Sequence, residues 1–211
     1  MNNSINHNFF LHLCSQKHTH NIMTRLLLMR HGETIDNARQ LMQGQVQGEL
    51  NDNGRRQAQE ASRRMENESI DVFVASDLQR SVDTARIMAE PHRKTVVTTP
   101  LLRERDWGDF TGRYIPDLKG LPWPDNVEKL THLLARAQSF LHYIYNMYPG
   151  KTVLAVGHGI INKAIQAVYR DCDMRDVTRM DNAEIRLLEL THDYSEKQPA
   201  ELANDKKFSI T

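Results

Sequence analysis

The sequence predicts an α/β protein, a three-layer α/β/α sandwich around a mostly parallel central sheet. Three observations carry this. Short apolar runs alternate with helix-periodic segments along most of the chain. Strands separated by helices pair in parallel and are covered on both faces. Two of the apolar runs, RLLLM and TVLAV, lead into the same kind of ending, a histidine followed by a glycine.

The elements follow in order. Residues 1–22 are polar, rich in Asn and His, and lack periodicity, so they are expected to be a disordered extension, with Met23 opening the folded part. RLLLM is the first strand. Asn51 to Glu68 repeats Ala58, Ala61 and Met65 on one face, a helix that Asn51 can cap. IDVFVA is a strand, and Leu78, Val82, Ala85 and Ala89 mark a helix whose predicted cap is Ser76 or Asp77. KTVVTT is a third strand. Val127, Leu130, Leu134, Ala137, Leu141, Ile144 and Tyr148 then fall three and four apart before Pro149-Gly150 stops the chain. That spacing fits a core-facing helix of a compact domain better than a coiled coil. TVLAV with its following helix, then EIRLLEL, complete a domain over 23–192, and 193–211 reads as a polar tail.

Bulk properties narrow the function classes. Lys plus Arg and Asp plus Glu number 27 each, so no global field favours nucleic acid or an anionic membrane, and clusters of Arg need a local explanation. No apolar run approaches a membrane span, and NFFLHL is too short for a signal-peptide core. Cys14 and Cys172 give no disulfide framework and suit a reducing compartment. The expected address is the cytoplasm. No metal site is predicted, because His7, His12, His18 and His20 have neither ligand spacing nor an acidic partner.

The strand ends carry the chemistry, since ligands of open α/β sheets sit beyond the carboxyl ends of the strands. Arg30 and His31 follow RLLLM, and Gly157, His158 and Gly159 follow TVLAV. One histidine after a strand is usually structural; two with the same local grammar are harder to read that way. Arg80 falls on the first turn of the helix after IDVFVA. A cation there opposes the helix dipole, and an arriving phosphate would reconcile the two. Glu104 lies in a loop after KTVVTT, near Trp107 and Gly108.

LLLMRHGETIDN, SDLQRSVDTA, LLRERDWGDFTG and VGHGIINKAI together resemble the four signature segments of the histidine phosphatase superfamily, in its phosphoglycerate mutase-like branch. The resemblance runs from about Thr24 to Leu190. It implies His31 as the nucleophile that forms a phosphohistidine, with Arg30, Arg80 and His158 holding the phosphoryl group and Asn37 adding a hydrogen bond. Such chemistry spreads charge over three equatorial oxygens, which planar guanidinium groups fit. The nucleophilic nitrogen being Nε2, the proton must sit on Nδ1 against a backbone acceptor. Gly32 and Gly159 are expected to let the backbone approach the phosphate. Glu104 corresponds to the proton donor, and Gln43 and Gly44 to a substrate-contacting stretch.

Two departures stand out. Gln47, Glu49, Leu50 and Asn51 replace a more usual Asp, Pro, Leu, Thr pattern. RERDWGDFTG lacks the Glu-Arg-His-Tyr-Gly stretch and the longer insertion of cofactor-dependent mutases, and looks like the phosphatase members. Trp107 and Trp123 either line the mouth of the pocket or are packing residues. The expected function is therefore a metal-independent phosphatase of a small phosphorylated metabolite, with no cofactor. A phosphoglycerate mutase primed by 2,3-bisphosphoglycerate is the alternative, and an inactive phospho-ligand binder is the alternative of another class. Relatives are commonly dimers, which leaves a homodimer open.

Overall fold

The computed structural model describes residues 23–195. The predicted 1–22 extension and all but the first three residues of the predicted 193–211 tail lie outside them. In chain order the elements are β1 (Thr24–Arg30), the single turn α1 (Ile35–Ala38), α2 (Asp52–Met65), β2 (Val72–Ser76), α3 (Gln79–Ala89), β3 (Val96–Thr99), α4 (Leu130–Met147), β4 (Thr152–Gly157), α5 (Gly159–Arg170) and β5 (Ile185–Leu190). The five strands form one sheet in the order β3-β2-β4-β1-β5. All neighbours are parallel except β5, which runs antiparallel to β1 along one edge.

Side chains alternate across a strand, so each strand feeds both layers. Leu26 and Leu28 of β1 join the cluster made with α4 and α5, while Leu27 and Met29 join the one made with α2 and α3. Val153 and Ala155 of β4 divide from Leu154 and Val156 in the same way. A strand used on both faces must be apolar throughout, which is why RLLLM and TVLAV carry no alternation. Each fully buried leucine contributes about 1.5–3 kcal/mol relative to exposure. A third, smaller cluster of Met42, Trp107, Phe110, Leu118 and Val127 roofs the carboxyl ends of β1 and β4.

Helix starts differ in how their amides are met. Asn51 caps α2 as expected, its Oδ1 accepting from Gly54 N at 2.8 Å. For α3 the capping position falls to Leu78, which offers no side-chain acceptor. Ser76 Oγ accepts from Leu78 N instead, and Asp77 is drawn away into an ion pair with Arg103. Val127 lies outside α4: it sits in a turn closed by its own N–H to Pro124 O, and its buried side chain serves the small cluster. Packing continues through Tyr194, which is fully buried and whose carbonyl accepts from Gln138 Nε2.

Candidate active site

The register of the two central strands builds the site. Arg30 pairs with Gly157, and His31 N donates to Gly157 O at 3.1 Å. The next residue on each strand is a histidine, and the rings of His31 and His158 lie 5.0 Å apart, close to the spacing of adjacent strands.

His31 is 3% exposed. Its Nδ1 lies 2.7 Å from Gly32 O. A carbonyl can only accept, so Nδ1 carries the proton and Nε2 keeps its lone pair. Burial, then the charges of Arg80 and Arg30, hold the imidazole neutral, well below its ordinary pKa of 6.5. The ring is thus the tautomer and charge state that a nitrogen nucleophile requires.

Arg30 donates from one terminal nitrogen to Met180 O at 2.8 Å, while its buried Nε has no partner among the described residues. Burial and the nearby Arg179 push its pKa down to about 10, which leaves it charged at neutral pH. Arg80 lies on the first turn of α3, as the sequence suggested, and backbone carbonyls hold its side chain. It is 1% exposed, and its terminal nitrogens donate to the carbonyls of Gly44 (2.8 Å), Val46 (2.5 Å) and Gln47 (3.0 Å). Its Nε donates to His158 Nδ1 at 3.2 Å. That acceptor role puts the His158 proton on Nε2, which faces Ser81 Oγ at 3.2 Å. His158 is wholly buried directly behind His31; burial and the Arg80 charge keep it neutral, well below 6.5.

Glu104 reaches the site from the loop after β3. Its carboxylate accepts from the backbone N–H groups of Arg105 (2.8 Å), Ile160 (3.1 and 3.2 Å) and Ile161 (3.2 Å). It therefore also closes the N-terminus of α5, where His158, the capping residue by position, makes no side-chain cap. The Glu104 loop is clamped by Arg136, whose guanidinium donates to Leu101 O (3.0 Å), Arg103 O (2.5 Å) and Glu104 O (3.4 Å) and pairs with Glu128 at 2.8 Å.

Arg30, His31, Arg80 and Glu104 face one inner well of about 50 Å³, rimmed by Asn37, Gln43 and Gly44. The well adjoins an outer cleft of about 420 Å³ with which it shares Arg30, Asn37, Ile115 and Arg179. Asn37 Nδ2 donates to Gln43 Oε1 at 3.2 Å, and Gln43 in turn donates to Asp36 at 3.2 Å, so the rim is internally braced. Trp107 lines the well and is 3% exposed; Trp123 packs on it edge-on, with the Arg105 guanidinium over both rings.

Two glycines do other work than expected. A Cβ on Gly32 would collide with Gly54 O at the start of α2, so Gly32 allows two backbones to touch. A Cβ on Gly159 would come within 3.0 Å of Arg179 Nε, and Gly159 lies outside the well's lining. Sequence reasoning missed Arg136, Arg179 and Ser81. Arg136 is the only Asp, Glu, Lys or Arg of α4, and Arg179 lies in a loop; neither position tells which distant loop its side chain meets.

The two depressed histidines make stability depend on pH. Both have folded-state pKa values below 6.5, so below that pH the unfolded chain binds more protons and folding weakens as pH falls. The loss is up to about 1.4 kcal/mol per pH unit for each ring. Urea midpoints in phosphate-free buffer should fall between pH 7.5 and 5.5, and the fall should be shallower in His31→Asn. A midpoint unchanged over that interval would mean the rings are not held neutral.

A family model described as the histidine phosphatase superfamily (branch 1) matches residues 26–202. The chain is 37% identical over 141 residues to an uncharacterized phosphatase, PhoE, of Bacillus subtilis (strain 168), covering 65% of this chain and 72% of that one. It is 33% identical over 153 residues to a probable phosphoglycerate mutase, GpmB, of Yersinia pestis (strain Pestoides F), covering 65% and 71%. Among solved structures, a mycobacterial glucosyl-3-phosphoglycerate phosphatase superposes with a TM-score of 0.71 at 27% identity, over 79% of this chain and 90% of that one. Bacillus stearothermophilus YhfR gives a TM-score of 0.74 at 25% identity, over 81% and 93%.

Proposed function

Since the chain belongs to the histidine phosphatase superfamily (branch 1), we propose that its phosphatase activity needs no metal or cofactor and proceeds through a phosphohistidine on His31. The observation that carries this is the Nδ1 contact to Gly32 O, which leaves a buried, neutral Nε2 lone pair in a well flanked by two arginines.

The phosphoryl group of a small phosphorylated metabolite enters the well, where Arg30 offers a buried donor that no atom of the described residues takes. His31 Nε2 attacks phosphorus; the P–N bond forms as the ester P–O bond breaks. Glu104 enters this step as the carboxylic acid, its proton on Oε2, and passes that proton to the departing alkoxide; the Nδ1–H stays on Gly32 O. A water molecule then attacks phosphorus, Glu104 recovers a proton from it, and the P–N bond breaks to release inorganic phosphate and neutral His31. The outer cleft, at about 420 Å³, is of the size that ordinarily encloses a small ligand and would take the rest of the metabolite. Glucosyl-3-phosphoglycerate, named for the mycobacterial relative, is one such metabolite. A cytoplasmic address accords with the two cysteines and with no helix among the described residues being long and apolar enough to cross a membrane.

The Yersinia relative's name keeps a phosphoglycerate mutase as the second reading. One experiment addresses both. After exhaustive chelation, and without 2,3-bisphosphoglycerate, the protein should release inorganic phosphate from members of a phosphorylated-metabolite panel at an undiminished rate. A strict need for an added divalent metal would overturn the metal-free chemistry. Interconversion of 2- and 3-phosphoglycerate only in the presence of the bisphosphate would establish the mutase.

A further inference from the structure

Arg179 lies between α5 and β5, beside Met180, whose carbonyl holds Arg30. It lines both the inner well and the outer cleft, and so stands where the two meet. Among the described residues nothing accepts a hydrogen bond from its guanidinium or pairs with it. Arg179 is exposed, and its guanidinium lines the cleft. Here the guanidinium rests on Gly159, where an added Cβ would stand 3.0 Å from Nε and 3.3 Å from a terminal nitrogen.

Its surroundings are cationic. Arg179 opposes the protonation of Arg30 and of Lys163, and it sits over the first residue of α5, the positive end of that helix. Positive charges gathered in this way call for an anion. Arg30, Arg80 and His31 serve the phosphoryl group within the well, whereas Arg179 reaches out into the cleft. We propose that Arg179 is a specificity-determining residue that binds a carboxylate on the same phosphomonoester, so that the preferred substrates are phosphorylated carboxylic acids. The proposal rests on the phosphatase reading above and names its substrate class.

A planar fork fits a carboxylate through two parallel hydrogen bonds. The cleft is not basic throughout. Asp181 and Glu33 also line it, with Glu33 held by Asn51 Nδ2 at 2.5 Å. A polyanion would be repelled there, so one carboxylate at Arg179 with neutral hydroxyls beyond it is the matching ligand.

The test uses a pair of ligands that differ in one group: 3-phosphoglycerate, which carries a carboxylate, and glycerol 3-phosphate, which has a hydroxymethyl in its place. Wild type should prefer the first in kcat/KM by about 10–100-fold, the worth of a charge-assisted contact. In Arg179→Met the ratio should collapse towards one, with p-nitrophenyl phosphate, which has no carboxylate, losing less than 3-phosphoglycerate; Arg179→Lys should fall between. Equal losses on all three substrates would mean Arg179 reads the phosphoryl group, and an unchanged ratio would mean it reads nothing; either overturns the proposal. Calorimetric binding of the same pair to His31→Ala and to His31→Ala/Arg179→Met repeats the comparison without chemistry. A carboxylate preference lost with Arg179 would sustain the proposal even if no turnover were found, a result that would count against the phosphatase mechanism alone.

Discussion

Replacing His31 with alanine should lower phosphate release by about 10⁴–10⁶-fold, the range expected when a covalent nucleophile is lost. The size follows from what else is in the well. His158 cannot substitute, because it lies behind His31 with its ring nitrogens engaged by Arg80 and Ser81. Glu104 is tied to three backbone amides at the head of α5 and loop. Rapid acid-free quenching with ³²P-labelled substrate should trap an acid-labile phosphoprotein in wild type and none in His31→Ala. If the alanine variant kept more than a few per cent of the activity, or still formed the labile adduct, the nucleophile would lie elsewhere. Inorganic phosphate should still protect the variant against unfolding, since Arg30 remains.

Glu104→Gln should separate substrates by their leaving groups. An alkyl phosphate leaves as a strongly basic alkoxide and needs the proton, so its single-turnover histidine phosphorylation should slow by about 10²–10⁴-fold. p-Nitrophenyl phosphate leaves as a stable phenolate and should slow far less. Glutamine is the informative replacement because its remaining carbonyl oxygen can still accept from the amides of Ile160 and Ile161, keeping α5 closed. An alanine there would strip the helix start of its acceptor and confuse a catalytic loss with a structural one. Equal slowing of alkyl and aryl esters in the glutamine variant would show that Glu104 shapes the site without donating a proton.

The sheet and the central part of the site are written locally. All five strands are visible as apolar runs, and Arg30, His31 and His158 announce themselves because two strands end alike. What escapes the sequence depends on where distant loops land. The arrest of Arg80 by the carbonyls of Gly44, Val46 and Gln47 is a meeting of α3 with the segment before α2. The capping of α5 by Glu104 joins a loop to a helix that shares no sequence signal with it. Gly32 looked like a phosphate contact because it follows a histidine, yet its missing Cβ is required by Gly54, which only the packed backbone reveals. Asp77 looked like a cap until Arg103, from another loop, claimed it.

The pairing of β1 with β4 also governs when the site can come into being. β1 is synthesised early and β4 late, and the strands between them, β2 and β3, occupy the other half of the sheet. Parallel pairing between segments so distant in the chain is slow, because a long loop must close before any contact rewards it. Until β4 inserts between β2 and β1, Leu26, Leu27, Leu28 and Met29 have lost their central neighbour, and the nucleophile has no Gly157 carbonyl to fix its backbone. No folding intermediate lacking that insertion can hold the two imidazoles side by side. Recovered activity during refolding therefore reports the insertion of β4, and the newborn chain stays chemically silent until its centre is filled.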